Sequence, residues 1–379
     1  MLQVEKSNNE KGNTMNELVN RVIELAVQIQ QIPAPTFEER RRAEFVSDLL
    51  RQEGLVDVSL DAAGNAYGRL PAGTAGARPL IVSAHLDTVF PMSTDLTVSR
   101  SPGKIHGPGL GDNSLGVAAL FGLLWMLRDR RSKPAGDIWL VANTCEEGLG
   151  DLRGMKAVVD RFGAEVQAYL VLEGLALGHV YHRAVGVKRY RITARTAGGH
   201  SWSDYGRPSA IHELSKLVLQ LTSLELPSHP RTTMNVGRIS GGTSVNVIAS
   251  EASMDLDLRS EGQDALAGLI AFVDKLIQSA NRPDVRMEAQ VIGQRPAGQI
   301  SPYHPLVRLG EECLRELGIN AVLTSGSTDA NIPLSKGYPA VVLGISSGGS
   351  AHTVNEFINT EPVAAGLKQL VNFVERVWK

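Results

Sequence analysis

The chain has 379 residues, 43% hydrophobic and 21% charged, with a net charge of −2. That length exceeds a single hydrophobic core and points to two domains. The near-neutral balance excludes a basic surface for nucleic acid, and no apolar run reads as long enough to span a membrane. Two cysteines, Cys145 and Cys313, are too few for a disulfide framework and fit a reducing compartment. The N-terminal stretch MLQVEKSNNEKGNTMNE is polar and lacks the apolar segment of a signal peptide. A cytoplasmic protein with no membrane or nucleic-acid partner is expected.

Residues 1–13 are expected to be disordered. Leu18, Val22, Leu25 and Ala26 form a helical stripe within Glu17–Gln31, stopped by Pro33 and Pro35. Thr36-Phe37-Glu38-Glu39 has the capping-box pattern and opens a second helix to about Gln52. Strands are expected at Val56–Leu60, Ala66–Leu70 and Leu80–Ala84. An apolar helix, Ser114–Arg128, follows. A strand Asp137–Asn143, a helix Leu152–Phe162 and a strand Ala168–Leu172 come next. This alternation predicts an α/β domain with a mostly parallel central sheet.

The pattern changes at Val187–Ala197, where Val187, Tyr190, Ile192 and Ala194 sit among Lys188, Arg189, Arg191, Thr193 and Arg195. A helix Ser209–Leu224, strands Thr233–Ile239 and Ser253–Arg259, a helix Asp264–Ala280 and a strand Val285–Ile292 complete a β-α-β-β-α-β order. That is the ferredoxin-like α+β pattern. After Pro296, a helix His304–Leu317, a buried strand Ala340–Gly344 and a closing helix Glu361–Val377 restore the α/β character. Residues 185–296 are therefore expected to interrupt a domain made of 1–184 and 297–379.

Polar residues stand where the apolar strands end. His85 and Asp87 close the first buried strand, and residues two apart share a side of a strand. Glu146 and Glu147 follow Asp137–Asn143, and Glu173 follows Ala168–Leu172. His352 lies in a Gly/Ser loop after Ala340–Gly344. Gly107–Gly116 is a glycine-rich helix entry carrying Asp112. It lacks the Lys-Ser/Thr ending of a phosphate-binding loop, and Asp112 would repel a phosphate. Taken singly, each has an ordinary structural explanation: a hydrogen-bonded pair, an N-cap, a solvated loop pair. Together they place two imidazoles and several carboxylates at one sheet edge, where open α/β sheets build their sites. This donor set suits Zn²⁺, Co²⁺ or Mn²⁺. Cys145 has no histidine partner nearby in sequence and reads as a small buried residue.

The ordered set S-A-H-L-D-T-V, G-x-G-x-x-D-N, E-E-G, L-E-G and A-H-T-V-N-E resembles the M20 metallopeptidase family. That family includes peptidase T-like aminopeptidases, glutamate carboxypeptidase and acetylornithine- or succinyl-diaminopimelate-type deacylases. The resemblance runs from about Glu17 to the C-terminus. It implies a zinc-peptidase-like catalytic domain interrupted by a lid, or dimerisation, domain. It further implies that His85 and Glu173 bind one divalent metal, Glu147 and His352 a second, and Asp112 both. Glu146 would be the general base and Asp87 the group holding the His85 imidazole. The implied reaction is attack of a metal-activated water on an amide carbonyl, with Glu146 passing the proton to the leaving amine.

The segment Ala197-Gly198-Gly199-His200-Ser201 resembles the family's lid segment whose histidine helps hold the oxyanion. Asn246 in Gly241–Ile248, Arg259 in Asp257-Leu258-Arg259 and Asp329 in Ser325–Asn331 resemble substrate-contacting positions. The last loop departs from the family pattern G-G-S-D-x-N, with Ser325 for the first glycine and Thr328 as an extra residue. The resemblance implies a short peptide or N-acyl amino acid as substrate, and a homodimer formed through Ser209–Leu224 and Thr233–Ile239. Two readings from other classes are weaker. A catalytically silent relative would lose the base or a ligand, yet all are present. A nucleotide-binding protein would need the missing P-loop ending.

Overall fold

The computed structural model describes residues 2–72 and 76–379, with helical side chains from Met15 onward. In chain order its main elements are α1 (Leu2–Gln30), α2 (Arg40–Gln52), β1 (Val56–Leu60), β2 (Ala66–Leu70), β3 (Ala77–His85) and α3 (Leu115–Asp129). Next come β4 (Gly136–Asn143), α4 (Arg153–Phe162), β5 (Ala168–Glu173), β6 (His179–Ala184) and β7 (Gly186–Thr196). Then follow α5 (Ala210–Thr222), β8 (Thr232–Gly241), β9 (Glu251–Ser260), α6 (Gln263–Ala280) and β10 (Val285–Arg295). The chain closes with α7 (Pro305–Glu316), β11 (Ala340–Gly344) and α8 (Val363–Arg376). It divides into two compact units, Met1–Arg183 with Gln299–Lys379, and Ala184–Gly298.

In the first unit the central sheet runs β1-β2-β4-β3-β5-β11-β6. Its four middle strands are parallel, β4 with β3, β3 with β5 and β5 with β11. Antiparallel strands flank them on both sides. Leu80, Ile81, Val82, Leu170, Val171, Val341 and Val342 have no exposed surface, as expected for a parallel sheet covered on both faces. The register pairs His85 with Asn143 and Glu173 with Gly344. The carboxyl ends of the four parallel strands therefore lie level, and every loop that leaves them starts from one edge. A small second sheet joins Gly348–Gly349, Phe357–Asn359, Lys104–His106 and Ser99–Ser101.

The second unit is a four-stranded antiparallel sheet in the order β8-β9-β7-β10. With α5 and α6 packed on one face, its chain order is that of a ferredoxin-like fold. Ile192, Ala194, Leu214, Leu256, Leu258 and Val273 form its core. The alternation read at Lys188–Arg195 is explained by the other face, where Arg191 pairs with Asp255 and Arg195 with Glu251 and Glu288.

Three expectations are corrected. The stretch Leu110–Asp129 does reach the length and apolarity of a membrane-crossing helix, and 94% of its most apolar window is buried inside the protein. It is so apolar because α3 packs against α1, α8 and β3 together. The disorder expected for residues 1–13 is replaced by helix over the described residues 2–13, since α1 runs from Leu2; Met1 lies outside the described residues. No proline interrupts α1, and each residue added to an existing helix adds a hydrogen bond. Thirdly, the capping box does not form. Glu39 is the N-cap of α2 but makes no capping bond with its side chain. Thr36 Oγ1 instead donates to Asp87 Oδ2 at 2.9 Å, and Glu39 Oε1 accepts from the Cys145 amide at 3.0 Å. Those buried partners outcompete a helix end that water can serve, because an unmet polar group costs most where water is absent.

Candidate functional site

The site begins where β3 ends. His85 and Asp87 are buried, at 2% and 0% exposure. His85 Nδ1 lies 3.0 Å from the Asp87 carbonyl oxygen, which can only accept, so Nδ1 carries the proton. In the neutral ring Nε2 is then a free lone pair, and it points at Asp112 Oδ1, 3.1 Å away, and Glu173 Oε2, 3.8 Å away. That tautomer is the one a metal ligand requires. The Asp87 carboxylate has further work, accepting from the Glu146 amide at 2.9 Å and the Glu147 amide at 2.8 Å. It thereby ties the end of β3 to the loop after β4. Burial opposes its ionisation, but the His85 ring and those amides outweigh it and hold Asp87 below the ordinary range.

Asp112 arrives on the glycine-rich loop before α3. Gly109 has φ +71°, and a Cβ there would meet Thr88 Cγ2 at 2.8 Å, so glycine alone fits. The Asp112–Asn113 peptide is cis. Asn113 is fully buried, donates from Nδ2 to the Leu172 carbonyl and accepts the Gly174 amide at Oδ1, both at 2.8 Å. This one side chain locks the Asp112 loop to the end of β5, where Glu173 sits. The two Asp112 oxygens face different imidazoles: Oδ1 faces His85 Nε2, and Oδ2 is 3.1 Å from His352 Nε2. His352 Nε2 is also 3.0 Å from Glu147 Oε1.

Two groups of donor atoms result, His85 with Asp112 and Glu173, and Asp112 with Glu147 and His352. Within each, the donors lie within 4.8 Å of one another. A third group joins His85, Glu146 and Glu147. Glu146 is 5% exposed and Glu147 6%, and Asp112 and Glu173 are largely covered, so four carboxylates with little water converge on a buried imidazole, His85, and an exposed one, His352. Burial pushes Glu173 upward, and the negative charges of Asp112 and Asp329 add to this against the pull of His85. Hydrogen bonds to Asp112 and Glu147 raise His352 to about 10. An acidic excess of this kind is costly unless cations neutralise it. Imidazole nitrogens and carboxylate oxygens at this spacing fit two divalent ions that share Asp112.

The sequence did not reveal that Thr36, Glu39, Asn65 and Glu356 support the site. Thr36 and Glu39 reach the site from the loop before α2, as described above. Asn65 Oδ1 accepts the Thr144 amide at 2.9 Å, and its Nδ2 donates to the Gly154 carbonyl at 3.0 Å. Glu356 is fully buried and accepts three amides of the Asp112 loop. Its only signal was its place at the end of A-H-T-V-N-E. Cys145 is buried, and burial followed by the charges of Glu39 and Asp87 pushes its thiol up to about 12. A thiol kept protonated in this way is a poor nucleophile. Asp329 is fully buried and its Oδ2 accepts from Asn143 Nδ2 at 2.7 Å, which places it beneath the end of β4.

In the inserted unit, Gly199–His200 pairs with Val247–Ile248 in a two-stranded ribbon, and the Ser201 amide donates to the Asn246 carbonyl at 3.1 Å. His200 and Asn246 are thus neighbours, and both are exposed. His200 Nδ1 accepts from the amides of Trp202 at 3.2 Å and Ser203 at 3.4 Å, so the neutral ring carries its proton on Nε2. Arg259 is not brought to this ribbon. It lies near the far end of β9, its Nε donating to Asp257 at 2.7 Å, and Asp257 also takes Arg189 at 2.9 Å.

A family model described as peptidase family M20/M25/M40 matches residues 81–376. The chain belongs to this family. As an M20 member it is a hydrolase. It is 25% identical over 370 residues to a succinyl-diaminopimelate desuccinylase of Corynebacterium glutamicum, covering 94% of this chain and 97% of that one. The aminopeptidase PepT of Bacillus cereus has a similar fold, with a TM-score of 0.80, 23% identity and coverage of 95% and 99%. A tripeptidase of Staphylococcus aureus is similar at a TM-score of 0.82, with 22% identity and coverage of 95% and 98%.

Proposed function

We propose that this M20 hydrolase is a dinuclear metal-dependent enzyme that cleaves an amide bond of a short peptide. The observation that carries the reading is Asp112, whose two oxygens each lie 3.1 Å from a different imidazole. On this reading His85 and Glu173 hold one divalent ion, Glu147 and His352 the other, and Asp112 both. The donor set favours zinc, with cobalt or manganese able to replace it. When bound, the ions supply Lewis acidity toward a water and toward the scissile carbonyl.

The chain's own residues supply the rest. Glu146, next in sequence to Glu147 and with its carboxylate within 4.8 Å of the donor atoms of Glu147 and His85, takes the water's proton and delivers it to the leaving amine. Asp87 keeps His85 in its ligand tautomer. His200, with its ring proton on Nε2, is a suitable donor to the oxyanion, and Asn246 beside it contacts substrate. For Arg259 and Asp329, the bonds to Asp257 and Asn143 favour supporting roles over the substrate contacts expected from sequence. The inserted unit would serve as lid and dimer surface. Its edge strand β8 and helix α5 expose Ile239 at 54% and Leu219 at 67%, and a monomer in sedimentation would remove that role. Two buried free cysteines fit the cytoplasm.

The fold shared with PepT and a tripeptidase supports peptides. The 25% identity to a desuccinylase supports N-acyl amino acids as the second reading. A panel of di- and tripeptides, C-terminal glutamyl substrates and N-acyl amino acids, assayed with added Zn²⁺, Co²⁺ or Mn²⁺, separates them. Turnover of peptides above acyl amino acids is the expected result. Metal analysis should find close to two ions per chain, and full activity after chelation would sink the reading.

A further inference from the structure

Glu356 is a buried carboxylate that the proposed reaction leaves without a task. It is fully buried, where an ionised group persists only if strongly bonded. Its Oε1 accepts from the Gly111 amide at 2.6 Å and the Asp112 amide at 2.9 Å, and its Oε2 accepts from the Gly109 amide at 3.0 Å. Its own carbonyl accepts the Gly107 amide at 2.9 Å. One residue therefore serves four amides within Gly107–Asp112. Among the described residues no lysine, arginine or histidine pairs with it. The loop it holds has no regular backbone ladder there, so these amides have no other strong acceptor.

The chain position sharpens the point. Glu356 stands four residues after His352, and the next residue, Phe357, pairs with His106 in the small second sheet. It also closes its own turn, its amide donating to the Thr353 carbonyl at 3.1 Å. The segment that carries His352 and the segment that carries Asp112 are thus joined at this one carboxylate. Both Asp112 oxygens need to meet different imidazoles at once, so a small rotation of the loop would lose one of them.

We propose that Glu356 is a positioning residue that sets Asp112 for the dinuclear centre by anchoring the amides of Gly109, Gly111 and Asp112; this rests on the metal reading above. Its carboxylate acts through the loop, accepting from the Gly109, Gly111 and Asp112 amides. Charge-assisted bonds to backbone amides are short and directional, and they fix the loop before any ion binds. Glu356→Gln preserves shape but sets an NH₂ group against an N–H donor and removes the charge.

The test is a calorimetric and spectroscopic titration of the metal-free full chain with Co²⁺, alongside its denaturant midpoint. Wild type should bind two ions. Glu356→Gln should bind Co²⁺ at least about tenfold more weakly, the range seen for residues that orient metal ligands, with a changed Co²⁺ visible spectrum. Its kcat at saturating metal should fall more than its KM rises. Should Glu356→Gln fail to fold, Glu356→Asp takes its place. The shorter carboxylate keeps the charge but cannot span the three amides, so it too should weaken Co²⁺ binding. A variant with wild-type Co²⁺ affinity and spectrum overturns the positioning role while the metal reading stands. A wild-type chain that binds no Co²⁺ removes the metal reading itself.

Discussion

Two clusters of charge in this protein obey different rules. On the open face of the inserted sheet, Arg191 meets Asp255 at 2.8 Å, and Arg195 meets Glu251 at 2.9 Å and Glu288 at 2.8 Å. The signs nearly balance, and water reaches every group. At the carboxyl edge of the central sheet, Asp112, Glu146, Glu147 and Glu173 converge on His85 and His352, and all but the exposed His352 are largely buried. The first cluster is complete as it stands and contributes little, because exposed pairs are screened and cost side-chain entropy. The second is electrostatically incomplete without cations, and its polar neighbours exist to hold that incomplete arrangement. Charge excess combined with burial, more than charge density, separates a binding centre from a solvated surface.

The contrast can be broken or sharpened by mutation. The largest effect is expected at the centre itself. Glu146→Gln should lower kcat by roughly 10²–10⁴-fold, the usual range for a general base, while metal analysis finds both ions retained. Activity near that of wild type would strip Glu146 of its role. Next is the frame around the centre. A Cβ at Gly174 would sit 2.1 Å from the Gly111 carbonyl oxygen. Gly174→Ala should therefore cost about 1–3 kcal/mol in denaturant unfolding and weaken metal binding, since it pushes the Glu173 and Asp112 segments apart. A neutral outcome would mean that these segments have room to yield.

A smaller effect is expected from Thr36→Val, which removes one of three donors to the buried Asp87 carboxylate. About 1 kcal/mol of stability should be lost, read from the same unfolding curves. The smallest effect belongs to the other cluster. Arg191→Ala should leave the unfolding midpoint almost unchanged, and any difference should vanish in 1 M salt, where the screening length is about 3 Å. A salt-resistant loss there would show that the exposed ladder does more than solvate the sheet.

The strand ends were legible in the sequence because there the code is local. Apolar runs such as Leu80–Ala84 and Ala168–Leu172 mark buried strands, and a histidine or carboxylate that stops such a run stands out. The ferredoxin-like insertion was legible for a similar reason, since the alternation at Val187–Arg195 needs one buried and one solvated face. Short strands such as Lys104–His106 and Phe357–Asn359 were not legible. Neither is long enough to show a period, and each is a strand because partners from elsewhere in the chain lie beside it.

Partner choice is where sequence stops. Thr36 and Glu39 match a helix cap in every local respect, yet they serve Asp87 and Cys145, 51 and 106 positions away. Asn65 supports Thr144 across 79 positions, and Glu356 supports Asp112 across 244. The sequence by itself determined which residues could bind a metal and that they would leave one edge of one sheet, because strand patterning and parallel topology dictate both. Only the tertiary structure decided which buried carboxylates face the centre and which hold its loops. That choice depends on which unmet amides burial brings within about 3 Å, and no local pattern records it.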